Sequence, residues 1–107
     1  MARLMKRGEV RWYEFKPPDK KRPVLVLTRD SAIAHLNEIT IAPITSRIRD
    51  IPSEVLLGPD DGMKMDCAVN LDHVQTVPKP RIGGLVISLS DHKLTQVRKA
   101  IRFALDA

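Results

Sequence analysis

A single cysteine, Cys67, is present among the 107 residues, which excludes an internal disulfide and a zinc site of the Cys-rich kind. The three histidines, His35, His73 and His92, lack ligand spacing, so no metal site is expected. A chain with so little sulfur chemistry suits a reducing cytoplasm. Aromatic residues make up only 4%, which leaves the interior to Val, Ile and Leu. No apolar run approaches the roughly 18 residues of a membrane span, and Met1-Ala2-Arg3-Leu4-Met5-Lys6 carries charge without the apolar core of a secretion signal. Neither secretion nor contact with a membrane is expected. Internal repeats, low-complexity tracts and Pro/Gly/Ser linkers are missing too, so residues 1–107 read as one domain. A domain of this size has a small core, and it leaves enough apolar surface that a homodimer is expected.

Positive charge is what the chain has in excess. Eighteen Lys and Arg against thirteen Asp and Glu give a formal net charge of +5 and a pI near 9.7. The cations gather at 16–29 and 47–49, beside expected strand ends. That distribution favours an anionic partner, either nucleic acid or an acidic protein segment.

The strongest buried-strand signal is Val24-Leu25-Val26-Leu27-Thr28, five residues without a polar break, read as a strand covered on both faces. Pro23, with fixed φ and no amide hydrogen, reads as the first residue of that strand, which places Arg22 just outside the sheet in an extended conformation. Upstream, Glu9 to Phe15 alternates as a first strand, with Val10 and Trp12 on one face and Arg11, Tyr13 and Phe15 on the other. Lys16-Pro17-Pro18-Asp19-Lys20-Lys21 joins the two strands, as a solvated loop or as a lip for a polyanion.

Downstream, Ser31 to Asn37 reads as a helical turn, Ile39-Thr40-Ile41-Ala42 as a strand that Pro43 ends or edges, and Ile44-Thr45-Ser46-Arg47 as a strand terminus carrying two hydroxyls and a cation. Ser53 to Leu57 is a further strand, closed by the turn Gly58-Pro59-Asp60-Asp61-Gly62. Cys67 to Leu71 and His73 to Val77 form one bent strand or two, with Asp72-His73 at the junction. After a loop at Pro78-Lys79-Pro80-Arg81, Leu85 to Leu89 is the last strand. One helix follows. Ser90 is its N-cap, Leu94, Val97, Ile101 and Leu105 its apolar stripe, and Asp91 suits its positive end. Short strands with turns between them and a terminal helix predict a mainly β fold, a small, strongly bent β-barrel with the helix packed on one side.

Four motifs, Arg7-Gly8-Glu9-Val10-Arg11-Trp12, Arg22-Pro23-Val24-Leu25-Val26, Pro43-Ile44-Thr45-Ser46 and Gly62-Met63-Lys64-Met65-Asp66, in that order and at these separations, resemble the MazF/PemK toxin family. The likeness runs from Met5 through the terminal helix. It implies a homodimeric barrel of the MazF/CcdB type that cleaves single-stranded RNA without a metal or other cofactor. It further implies neutralisation by an antitoxin whose acidic, poorly ordered segment lies over the site. Carried over by position, Arg22 and Thr45 match the family's catalytic arginine and threonine, and Ser46 takes the adjacent polar position. Lys20, Lys21, Ser46, Arg47, His73 and Gln75 are the implied RNA-binding residues. The chain departs from the family pattern in its short first loop, where Asp19-Lys20-Lys21 stands before the arginine. It departs again near the fifth strand, where His73 and Gln75 replace the usual glutamine and arginine.

The chemistry implied is attack of a ribose 2′-hydroxyl on the adjacent phosphorus, with negative charge growing on the phosphate oxygens. An arginine fork and a threonine hydroxyl suit that charge. Arginine stays protonated, so Arg22 is a poor base and the proton carriers are left open, with His73 a candidate for proton transfer or for stacking on a base. Two other functions stay open beside this one, a CcdB-like topoisomerase poison and a non-catalytic RNA-binding barrel. The C-terminal Phe103-Ala104-Leu105-Asp106-Ala107 lacks the terminal Trp-Gly-Ile that the resemblance to CcdB requires.

Overall fold

The computed structural model describes residues 5–17 and 20–107. Among these residues seven strands alternate with short turns: β1 (Glu9–Glu14), β2 (Lys21–Val26), β3 (Glu38–Thr45), β4 (Glu54–Leu57), β5 (Cys67–Asn70), β6 (Gln75–Pro78) and β7 (Ile82–Ser88). A short helix α1 (Asp30–Ile33) follows β2, and α2 (Asp91–Leu105) ends the fold. The sheet order is β4-β5-β3-β2-β1-β7, with β6 added to β3. Every pairing is antiparallel. The result is the expected mainly β fold, a strongly curled sheet with a terminal helix on one side.

The curl originates in β3. Its first half pairs with β6 from Glu38 to Ile41, and its last two residues pair with β5, so one strand serves two partners in succession. Pro43 lies between those ladders. It neither ends nor edges the strand, which continues to Thr45. The physical reason is alternation: Leu27 N donates to Thr40 O, so even-numbered residues of β3 face β2 and Pro43 faces the gap where β6 has stopped and β5 has not begun.

The same logic corrects the expected position of Arg22. Strand β2 starts at Lys21, so Arg22 lies within the sheet opposite Tyr13, and Pro23 is the third residue, opposite Trp12. The ladder from β2 to β3 opens only at Val24. Pro23 points its missing N–H toward β3 ahead of that ladder, where no donor is needed. At the other end β2 stops at Val26, and Thr28 leaves the strand to accept a hydrogen bond from Thr40 N at 2.8 Å through its hydroxyl.

Burial on both faces of β2 is as expected. Val24, Leu25 and Val26 are all fully buried, but they feed two different cores. Leu25 joins Val10, Ile44, Val69 and Val97 beneath α2. Val24 and Val26 join Tyr13, Ile33, Ile39 and Ile41 on the opposite side, where α1 packs. The segment after Cys67 resolves as two strands, separated by a 3₁₀ turn at Leu71–His73. Strand β7 begins at Ile82 and takes in Gly83 and Gly84. Arg11 ties it to β1, its Nη1 donating to Gly83 O at 3.1 Å while Nε pairs with the buried Glu9 at 2.8 Å. Ser90 caps α2 by accepting from Lys93 N at 3.2 Å. Val97 and Ala100 are the buried residues of that helix, whereas Phe103 and Leu105 are 60% and 64% exposed.

Gly62 turns the chain after a 3₁₀ segment at Pro59–Asp61, with φ of 102°. A Cβ at this position would lie 2.9 Å from Cγ2 of Ile87 on β7. Left-handed backbone costs an L-residue about 1–2 kcal/mol, and the clash adds to it. Gly62→Ala should therefore lower the thermal midpoint by at least about 4 °C. An unchanged midpoint by differential scanning calorimetry would contradict this account of the turn.

Candidate nucleic-acid interface

Because β2 and β3 are antiparallel, the start of one lies beside the end of the other. Arg22, second residue of β2, and Thr45, last residue of β3, are thus brought to one rim of the sheet. Two clefts open there. The larger, about 600 Å³, has Trp12, Arg22, Thr45, Ser46, Lys64 and Cys67 among its walls. The smaller, about 210 Å³, is walled by Arg22, Thr45, Arg47, Arg49, Glu54 and His73 among others. Arg22, Ile44 and Thr45 belong to both. They form the partition between the two.

Local hydrogen bonding fixes what each group can offer. Thr45 Oγ1 accepts from Arg47 N at 3.1 Å, which occupies a lone pair and leaves its hydroxyl hydrogen available to a ligand. Among the described residues the ion pairs are Arg11–Glu9 and Lys93–Asp61, so no carboxylate there takes up the guanidinium of Arg22. Glu54 organises the far wall, its Oε1 accepting from the amides of Arg49 and Asp50 at 2.9 and 3.0 Å. His73 ends the Leu71–His73 turn with Nδ1 3.2 Å from Asn70 Nδ2. Three arginines and one carboxylate give the smaller cleft a positive balance suited to a phosphate.

The larger cleft is mostly apolar in its lining, with Trp12 at its edge, 36% exposed. Lys21 Nζ stands 5.6 Å from the centre of the Trp12 ring, a cation–π contact at the cleft mouth. Cys67 is buried at the cleft base. Burial first, then the carboxylates of Asp61 and Asp66, push its thiol above the ordinary cysteine range, so it is a packing group and not a nucleophile.

Of the residues singled out from sequence, Arg22, Thr45, Ser46, Arg47 and His73 line these clefts, with Ser46 in the larger and Arg47 and His73 in the smaller. Lys21 reaches the site through Trp12. Lys20 is exposed ahead of β2, and Gln75 is exposed opposite Ile41 on β6, and neither lines a cleft. Asp19, in the segment where the family pattern is broken, lies outside the described residues, as do Pro18 and residues 1–4. Sequence reasoning gave no site role to Trp12, Arg49, Glu54 and the Met63-Lys64-Met65 segment. A signal for Trp12 existed, since the strand register that buries Val10 carries the sole tryptophan to the β2 end that holds Arg22.

Residues 6–105 match the model of a family described as PemK-like, MazF-like toxin of type II toxin-antitoxin system. The chain belongs to this family. A relative from Mycobacterium tuberculosis, "Probable endoribonuclease MazF5", is 38% identical over 107 residues, spanning 99% of this chain and 97% of the relative. "Endoribonuclease MazF3" of the same organism is 35% identical over 88 residues, 82% of this chain and 85% of the relative. Among solved structures, "Mycobacterium tuberculosis toxin MazF-mt6" superposes with a TM-score of 0.84 at 32% identity, covering 92% of this chain and 96% of that one. The curled sheet with its terminal helix is thus the PemK/MazF fold. No helix among the described residues is long and apolar enough to cross a membrane.

The environment of Cys67 sets a reactivity. Alkylation by iodoacetamide at neutral pH should be far slower in the folded protein than in denaturant, because the thiolate fraction is small and access is closed. Equal rates in the two conditions would overturn this placement.

Proposed function

We propose that this protein is an endoribonuclease that cuts single-stranded RNA at preferred sequences, acting in the cytoplasm as the toxin of a toxin–antitoxin pair. The observation that carries the reading is the shared wall of Arg22 and Thr45 between two clefts. A phosphate seated on that wall meets a guanidinium fork and a free hydroxyl, while the nucleotides on either side have a cleft each. Membership of the family and the endoribonuclease names of its relatives support the same reading.

In this reading the ribose 2′-hydroxyl attacks the adjacent phosphorus, the bond to the 5′-oxygen breaks, and the products are a 2′,3′-cyclic phosphate and a 5′-hydroxyl. Arg22 and Thr45 are the catalytic residues and hold the non-bridging oxygens as charge builds on them. Charge stabilisation comes from protein donors, so the reaction is metal-independent. Arg47 and Arg49 hold the neighbouring backbone, and Trp12 with Lys21 offers a stacking face to a base. The two side chains of the smaller cleft able to accept a proton are Glu54 and His73. Glu54 already binds two backbone amides, which leaves His73 the freer of the two. An acidic antitoxin segment inhibits by occupying the same cationic cleft. A second copy of the chain covers apolar surface left exposed by the single fold.

Arg22→Ala should slow cleavage of a long single-stranded RNA by about 100- to 1000-fold or more and leave the thermal transition close to wild type, since the side chain is exposed. Thr45→Ala should cost less, because it removes one neutral donor. Wild-type turnover in either variant removes that residue from the mechanism.

Cleavage should persist in excess EDTA, and an RNA with a 2′-O-methyl group at the cleavage site should bind but stay intact. A magnesium requirement, or cutting of the methylated RNA, would refute in-line attack by the 2′-hydroxyl.

Two roles for His73 separate by substitution. Proton transfer predicts that His73→Phe and His73→Gln both lose turnover while binding of the methylated RNA is kept. Stacking predicts that His73→Phe retains activity and shifts the sequence at fragment ends. Identical rates and fragment ends in both variants would leave His73 without a role.

A further inference from the structure

At the end of β2 remote from Arg22, a second cationic cavity of about 230 Å³ is walled by Arg7, Arg29, Asp30, Leu94 and Arg98. Its three arginines come from three places: the turn before β1, the loop after β2, and α2. The walls are held rather than gathered by chance. Gly8, next to Arg7, donates its N–H to Val26 O and accepts from Leu89 N, both at 2.9 Å. Leu94 packs on the same glycine, with Cδ2 3.0 Å from where a Cβ would stand. Arg98 lies one turn after Leu94 on the same helix face, so α2 and the Arg7 turn keep a fixed spacing.

Asp30 does not neutralise the cluster. Its Oδ1 accepts from the backbone N–H of Arg7 at 2.7 Å, and among the described residues no ion pair involves Arg7, Arg29 or Arg98. Three guanidinium groups against one carboxylate leave a net positive cavity. Its volume is below the ~300 Å³ at which ligand pockets usually begin, and one phosphate group fits within it. Guanidinium forks match phosphate oxygens in geometry as well as charge.

We propose that this cavity is a second phosphate site, which holds a backbone phosphate of the RNA several nucleotides from the bond being cut. The assignment rests on the RNA-cleaving reading above. Carrying the strand rise of about 3.3 Å per residue from Arg22 to Arg29 separates the two sites by up to about 23 Å, a span that only a longer RNA bridges. The site therefore makes binding depend on RNA length and leaves chemistry on short substrates to Arg22 and Thr45.

The test is the double variant Arg29→Gln, Arg98→Gln, checked for a wild-type thermal midpoint and assayed with a tetranucleotide and a dodecanucleotide, each blocked by 2′-O-methylation at the cleavage site. The variant should bind the dodecanucleotide roughly ten-fold more weakly, with a salt slope of log K smaller by about 0.7 for one lost phosphate contact on a single strand. Tetranucleotide affinity and the cleavage rate of an unblocked tetranucleotide should stay as in wild type. Unchanged dodecanucleotide affinity and salt slope would overturn the proposal. Inorganic phosphate serves as a separate probe: if it raises the thermal midpoint of wild type and not of the variant while RNA binding is the same in both, the RNA assignment is overturned in favour of a small phosphate. Failure of the wild-type protein to cut any RNA is a different result, and sinks the underlying reading instead.

Discussion

The ladder between β2 and β3 is the constraint on which both the fold and the site depend. Val24, Leu25 and Val26 pair with Pro43, Ala42 and Ile41, and all three β2 residues are fully buried. That short register feeds two cores at once, one under α2 and one under α1. A slip by one residue would exchange the two side-chain sets between cores. It would also move Arg22 relative to Thr45, so the packing that specifies the fold also sets the spacing of the proposed catalytic pair.

Both prolines of the ladder fall where a neighbouring strand is missing, and this explains why the site lies at this rim. Pro23 precedes the first β2–β3 pair, and Pro43 occupies the interval between β6 and β5. Neither costs a ladder hydrogen bond. Beyond each, β2 and β3 no longer pair with one another, while β1 still holds Arg22 and β5 still holds Thr45, and at this parting of the two strands Arg22, Thr45, Ser46 and Arg47 are found. Electrostatics then sorts the two clefts. Arginines and His73 gather in the smaller, while Trp12 and apolar groups dominate the larger, an arrangement suited to a polyanion whose bases are flat and whose backbone is charged.

Much of this could be read from the chain. Alternation at Val10-Arg11-Trp12-Tyr13, the apolar run after Pro23 and the stripe on α2 each follow from side-chain period, which depends on nearest neighbours alone. Strand limits did not follow, because they depend on where a partner begins: Pro43 looks like a terminator until β6 and β5 are seen to exchange places beside it. The candidate site was legible where a motif carried it, at Arg22 and Thr45, which line both clefts. Glu54, Arg49 and Trp12 were not assigned, since what joins them to Arg22 is the curl of the sheet and no sequence spacing records it. Gln75 shows the converse, a position carried over from a family pattern whose strand here leads away from both clefts.

In the proposed reaction Arg22 and Thr45 act on one phosphate. A double-mutant cycle in single-turnover cleavage, with Arg22→Ala, Thr45→Ala and the combined variant on one defined RNA, addresses it directly. Residues that grip the same phosphate should be coupled, so the combined variant should be only slightly slower than Arg22→Ala alone. A combined loss equal to the product of the two single losses would mean that they act independently, and would contradict the account.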